Sequence, residues 1–306
     1  MAGVLLVTAL AGCARSSDGS SAPAHGDASA ARSPAASTAT AGVPPLAHVV
    51  VIIEENKPTQ AILGNPDATY LNQLANSGAV ATNYSAITHP SLPNYLALTS
   101  GTTAGITSDC NPPGGRCVDR APNIAQALER AGKSWKMYAE SMPSPCSTAN
   151  TSRYAVKHNP FLYFPSVTSD QAACHRHDVP LTQLTHDLAA ASTTPSLAVI
   201  SPNLCNDMHD CSIARGDAWL RRTVPAILAS PAFRSQRSLL AITFDEGNDL
   251  NNSVACVFAG PVARSGARDS TAYNHYSLLR TIEEGLGVPP LGTNDRHASS
   301  MASMLR

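Results

Sequence analysis

The five consecutive β-branched residues Val49-Val50-Val51-Ile52-Ile53 constrain this chain more than any other stretch. A strand with one wetted face alternates apolar and polar side chains, whereas an unbroken Val/Ile run leaves no face for water. The run therefore predicts a strand buried on both faces, in a mostly parallel sheet covered by helices. It stops at Glu54-Glu55-Asn56, which puts carboxylates at the strand's carboxyl edge. Similar runs over 134–138, 196–200, 238–243 and 253–258 predict four more strands, the first interrupted by Lys136. Between them, 70–76, 121–131, 217–229 and 276–285 read as helices. Pro122 suits a first helical turn, and Pro225 is expected to kink or split its segment. Strands alternating with helices predict an α/β chain, a three-layer α/β/α sandwich.

In open sheets of this kind ligands bind beyond the carboxyl ends of the strands. Glu55 and Asn56 follow the first strand, and Asp245 and Glu246 follow the 238–243 strand. His209, with Asp207 and Asp210, lies in the loop after the 196–200 strand. Carboxylates gathered from several strand ends make an oxygen-rich pocket suited to a divalent cation. The competing reading is solvated loop acids and helix caps. A candidate nucleophile stands in Thr88-His89-Pro90-Ser91-Leu92-Pro93-Asn94-Tyr95. Pro93 favours a helix start, so a short helix over 95–100, stopped by Gly101, places Ser91 near unpaired N–H groups and the positive dipole end. The alternative is that Ser91 merely caps the turn. His89 beside Pro90 shapes that turn or is structural, Trp135 and Trp219 are core candidates, and His175 and His177 are assigned to an exposed loop.

The 21 basic and 22 acidic side chains among 306 residues leave a formal net charge of −1. That balance excludes a broad cationic surface for nucleic acid. Residues 1–12 hold a short apolar run ending in Leu10-Ala11-Gly12-Cys13. The pattern reads as a secretory signal and resembles the bacterial lipobox, in which the cysteine is acylated; an ordinary signal peptide is the alternative. Either way the chain is expected to be exported, anchored to the outer face of the cell membrane through lipidated Cys13 or secreted. Residues 13–46, rich in Ala, Ser, Pro, Thr and Gly, read as a flexible tether, and 47–306 as one folded domain. Cysteine usage agrees with export. Cys110/Cys117 and Cys205/Cys211 are spaced for short loops, with Cys146 and Cys174 left over, although six cysteines admit other connectivities. Cys256, inside an apolar run, is expected to be a buried free thiol.

The strings Val49-Val-Val-Ile-Ile-Glu-Glu-Asn56 and Thr88-His-Pro-Ser-Leu-Pro-Asn-Tyr-Leu-Ala-Leu98 resemble the bacterial acid phosphatase and phospholipase C group of phosphoesterases, within the alkaline phosphatase superfamily. Ser201-Pro-Asn-Leu-Cys-Asn-Asp-Met-His-Asp-Cys211, Gly216-Asp-Ala-Trp-Leu220, Thr243-Phe-Asp-Glu-Gly247 and His275-Tyr-Ser-Leu-Leu-Arg-Thr281 extend the likeness in order along the chain. The resemblance implies Ser91 as a nucleophile forming phosphoserine, and Glu55, Asn56, Asp245 and Glu246 as ligands of a divalent metal ion. It implies His209 or His275 as the acid for the leaving oxygen, a structural hydrogen-bonding role being the alternative for either, and Asn94 as an amide donor to the transferred group, with helix support as its rival reading. Asp207 and Asp210 would orient His209 or hold a second cation. Two-metal relatives carry Asp-His where this chain has Asp245-Glu246, which favours one firmly held ion. Lys57 is a further phosphate contact or a surface lysine. The activity implied is hydrolysis of a phosphorylated small molecule or lipid headgroup, of acid phosphatase type. The alternatives are a phospholipase C or phosphodiesterase and, from another class, a non-catalytic surface binding protein. A sulfatase is disfavoured, because Tyr95 occupies the position where that signature needs Arg.

Overall fold

The computed structural model describes residues 42–111, 113–292 and 294–306, and Gly3. The signal peptide and Cys13 lie outside these described residues. The strands are β1 (His48–Glu54), β2 (Ala79–Ala81), β3 (Tyr84–Ser85), β4 (Trp135–Ala139), β5 (Asp178–Pro180), β6 (Leu197–Ser201), β7 (Ser238–Phe244), β8 (Cys256–Ala259), β9 (Arg268–Asp269) and β10 (Tyr273–Asn274). Eight form one sheet in the order β5-β4-β6-β1-β7-β8-β2-β9, and β10 pairs separately with β3. β1 is parallel to both neighbours, with Val50 opposite Ala198 on β6 and Leu240 on β7. Only β8 runs against the strands beside it. All of β1 is buried, as an unbroken Val/Ile run requires. Each such side chain taken from water contributes about 2 kcal/mol, which makes the centre of the sheet its best place.

The five predicted strands form. The helices depart from expectation in three places. The helix before Gly101 spans Ser91–Ser100 rather than 95–100, so Ser91 is its first residue. The Ile213–Leu228 helix runs unbroken through Pro225, whose place near the carboxyl end costs one internal N–H while Trp219, Leu220, Val224 and Ile227 stay buried. Asn123 accepts from the Gln126 N–H and starts its helix at Ile124, leaving Pro122 outside. His177 lies at the end of the Gln171–His177 helix, not in an exposed loop. Its ring stacks on buried Trp135 with centroids 4.8 Å apart, and its Nδ1 meets the Trp135 carbonyl at 2.9 Å. Trp219 is also core.

The folded unit starts before residue 47. Leu46 is buried, its N–H donates to the Gly285 carbonyl at 2.7 Å, and Val43 packs beside it. Gly285 makes room for this: a Cβ there would lie 2.6 Å from Leu46 Cδ1. Cys110–Cys117, Cys146–Cys174 and Cys205–Cys211 are bridged, and Cys256 is free and buried.

Two buried acids away from the strand-end loops that carry Ser91 and Glu55 set a pH dependence. Asp178 is pushed up to about 7 by burial, against an opposing hydrogen bond from Asn159. Glu283 is pushed up to about 9, by burial first and then by the neighbouring Asp295 carboxylate. One oxygen of each has no hydrogen-bond partner. A native state that binds more protons than the unfolded chain loses stability as pH rises. Their contribution is therefore complete below the unfolded carboxyl value and fades through about 7 for Asp178 and about 9 for Glu283. Melting followed by circular dichroism is expected to fall by about 5 °C between mildly acidic and alkaline buffer. Glu283→Gln is expected to flatten that slope; an unchanged slope would contradict the assignment.

Candidate active site

Successive side chains of a strand point to opposite faces, so Glu54 and Glu55 part ways at the end of β1. Two backbone bonds and one to a side chain fasten the strand-end loops together. The Glu55 N–H donates to the Asp207 carbonyl at 2.8 Å, and the Asp245 N–H to the Glu54 carbonyl at 2.9 Å. The Asn56 N–H donates to Asp245 Oδ1 at 3.0 Å. Asn56 (φ 54°) and Met208 (φ 74°) adopt left-handed backbone, a strain that non-glycine residues carry mainly at functional sites. Gly216 admits the Met208 turn, since a Cβ there would lie 2.4 Å from Met208 Cγ.

Ser91 opens its helix behind Pro90, and no side chain caps that end. The hydroxyl is therefore not a cap. It donates to Glu55 Oε2 at 3.2 Å, while Glu55 Oε1 accepts from the Tyr95 hydroxyl at 2.6 Å and the Asp245 charge bears on Glu55. The structure thus brings the expected nucleophile to Glu55 and Asp245. Ser91, Glu55, Asp207 and Asp245 are all at most 1 % exposed. Burial, then Asp245 and Asp207, raises Glu55 well above the usual carboxylate range. Burial lifts Asp245 and takes Asp207 to about 7; burial and then Asp245 take Glu246 to about 8. Glu246 Oε2 is 2.7 Å from His89 Nδ1, so His89 ties the nucleophile loop to the β7 end.

For two site residues the geometry favours the structural alternative over the chemical one. Asn94 Oδ1 accepts from the Ile87 and Thr88 N–H groups at 2.9 and 3.1 Å, and its Nδ2 donates to the Thr88 and Pro90 carbonyls at 2.8 and 3.2 Å. With its amide engaged on both sides, Asn94 braces the nucleophile loop and has no hydrogen left for a transferred group. His275 is buried with Nδ1 3.0 Å from the Tyr84 hydroxyl and Nε2 2.6 Å from the Asp245 carbonyl. Burial lowers it to about 4, and with both ring nitrogens engaged the ring braces the Asp245 backbone. His209 keeps a half-open position: its N–H donates to Asp207 Oδ1 at 2.8 Å, and its Nδ1 lies 2.7 Å from Asp210 Oδ1. Asp210, itself exposed, thus faces His209.

The sequence analysis missed Lys157, His158 and Asp109. Lys157 and His158 come from the short turn Val156–His158, outside every strand end considered above. His158 is buried, stacks on Tyr95, and stands 3.1 Å from Glu55 Oε1 and 3.5 Å from Asp207 Oδ2. Burial lowers it to about 3, leaving a neutral ring. Lys157 Nζ donates to Asp109 Oδ2 at 2.8 Å and to Ser91 Oγ at 3.4 Å. A Lys-His pair set between Tyr154 and Pro160-Phe161 was the available signal, an ionisable pair inside an otherwise apolar stretch.

Donor chemistry can be tested against a cation. Asp245 Oδ2, Asp207 Oδ2 and His158 Nε2 are buried with no hydrogen-bond partner. Unpaired buried anionic oxygens are costly unless a cation or proton meets them. The set therefore fits a hard divalent ion, although it is not drawn tightly together. Among the described residues, Cys146, Cys174 and Asp178 form the one trio of His, Cys, Asp or Glu ligand atoms mutually within 4.8 Å, and those cysteines are disulfide-bonded.

Comparison with known proteins gives the family. The chain is similar to the phosphatidylinositol-3-phosphatase of Mycobacterium tuberculosis, 37 % identical over 85 % of this chain and 83 % of that one. It is similar to the phosphate-repressible acid phosphatase of Penicillium chrysogenum, 35 % identical over 74 % of this chain and 56 % of that one, so it spans little more than half of the fungal protein. A Vibrio parahaemolyticus protein of the alkaline phosphatase superfamily shares the fold with a TM-score of 0.61 at 11 % identity, covering 83 % of this chain and 70 % of that one. The sequence pattern of the Phosphoesterase family matches residues 62–289, from just past Glu55 and Asn56 through Ser91, Asp245 and His275. A seryl hydroxyl among strand-end carboxylates, in a chain so matched, places this protein in the Phosphoesterase family.

Proposed function

We propose that the chain is an exported, metal-assisted phosphate ester hydrolase of acid phosphatase type, working through a phosphoserine at Ser91. Family membership and its acid phosphatase relatives make it a phosphoric monoester hydrolase; the mechanism is our reading. The observation that carries it is the 3.2 Å contact from Ser91 Oγ to Glu55 Oε2 inside a buried acid pocket. Ser91 Oγ attacks phosphorus and passes its proton to Glu55, while the bond from phosphorus to the leaving oxygen breaks. His209, half-exposed and oriented by Asp210, donates a proton to that oxygen. Water then attacks the phosphoserine and gives a proton to His209, the bond from phosphorus to Oγ breaks, and the proton on Glu55 returns to Ser91 as inorganic phosphate leaves. Asp245 and Asp207, whose unpartnered oxygens are buried, would hold a divalent ion with His158 beside them and with Asn56 and Glu246 from the set the resemblance implies; when bound it polarises the phosphoryl oxygens and favours the serine alkoxide.

The three disulfides support a working place outside the cytosol. No helix of the described residues is long and apolar enough to cross a membrane, and anchoring through Cys13 lies outside those residues. The Mycobacterium tuberculosis relative makes phosphatidylinositol 3-phosphate the lipid substrate to test beside soluble monoesters. Acid quenching during turnover of a radiolabelled monoester is expected to leave label on Ser91, and dialysis against a chelator to remove activity that a divalent ion restores. Undiminished turnover with no labelled serine would overturn the reading.

A further inference from the structure

Lys157 comes from none of the strand-end motifs, yet its ammonium touches the nucleophile. Its side chain is 17 % exposed, with Nζ 3.4 Å from Ser91 Oγ and 2.8 Å from Asp109 Oδ2. Asp109 uses its other oxygen on the same helix, Oδ1 accepting from the Leu92 N–H at 2.9 Å. One carboxylate therefore sets both the ammonium and the first turn that presents Ser91. Desolvation pulls Lys157 down, but the Asp109 bond and the nearby Glu55 and Asp245 charges outweigh it and hold the amine above its ordinary value. Among the described residues, no other lysine or arginine donates to Ser91, Glu55 or Asp245.

Ser91 is held by Glu55, and Asp245, Asp207 and Glu246 crowd the same acid cluster, so a phosphate arriving with more negative charge meets more repulsion. A phosphate monoester carries about −1.5 to −2 at neutral pH, and a diester carries one negative charge. A fixed cation at the attacking oxygen offsets that difference most for the dianion. Resting on the phosphoserine reading, we propose that Lys157 selects phosphate monoesters over diesters by holding a non-bridging phosphoryl oxygen beside Ser91 Oγ, with Asp109 as its positioning residue. The ammonium already stands against the hydroxyl, so the oxygens of an in-line phosphoryl group arrive next to it.

The test compares p-nitrophenyl phosphate with its bis ester on wild type, Lys157→Met and Lys157→Arg. Lys157→Met is expected to lower kcat/KM for the monoester by about 100-fold, the usual cost of losing one charge-stabilising donor. For the diester the loss should stay within about 5-fold, read as a change in selectivity rather than in overall activity. Inhibition by inorganic phosphate should weaken in parallel, a readout that needs no diester turnover. Lys157→Arg keeps the charge and should keep the monoester preference. Asp109→Asn should raise KM for the monoester more than it lowers kcat, with the melting temperature unchanged. Equal losses on both esters, or no loss on either, would overturn the assignment. A wild type that cleaves neither ester, or a fully active Ser91→Ala, would instead remove the underlying reading of the site.

Discussion

Ser91→Ala is expected to lower kcat by about 10⁴-fold or more while leaving the melting temperature within a few degrees of wild type. The hydroxyl is the only atom lost, and it caps no helix. Its one acceptor, Glu55 Oε2, retains the Asn56 amide at 3.4 Å. Deleting the attacking atom of a covalent mechanism leaves only residual electrostatic and binding catalysis, so the loss should fall on kcat rather than KM. Steady-state kinetics on p-nitrophenyl phosphate with a parallel thermal melt checks both halves. Full turnover by the variant would mean that water attacks phosphorus directly.

Glu55→Gln is expected to lower kcat by roughly 10³-fold, within the range for losing a positioned proton acceptor. The amide keeps the shape of the side chain and can still accept from Tyr95. It removes one of three mutually repelling buried carboxylates, because burial, Asp245 and Asp207 all raise Glu55. In chelated protein the variant should therefore melt at the same temperature or higher. Activity lost while stability is held or gained is the mark of a site kept strained for chemistry. A melting temperature that drops along with the rate would make Glu55 a structural residue instead.

The sheet was legible because its signal is local. Val49 to Ile53 must be buried on both faces wherever they go, and the polar residues after each apolar run must then collect along one edge. That geometry offered Glu55, Asp207 and Asp245 as one cluster beside a reading as loop acids and caps, and the Thr88–Tyr95 turn offered Ser91 as nucleophile or cap; the family resemblance chose between them. For Asn94 and His275 the sequence left a chemical and a structural role open and could not choose between them. A side chain's hydrogen-bond partners lie far away in sequence, as with Tyr84 and Asp245 around His275, and periodicity carries no information about them. Lys157, His158 and Asp109 were invisible for the complementary reason. They belong to irregular segments, and only tertiary packing brings them to Ser91.

The Cys110–Cys117 bridge closes a short loop directly after Asp109, and the Tyr163 hydroxyl donates to the Cys110 carbonyl within it. The carboxylate that aims Lys157 is thus moored by a bond that exists only after oxidation. On the role proposed for Lys157, reducing that bridge is expected to leave the sheet folded and to weaken turnover of monoesters.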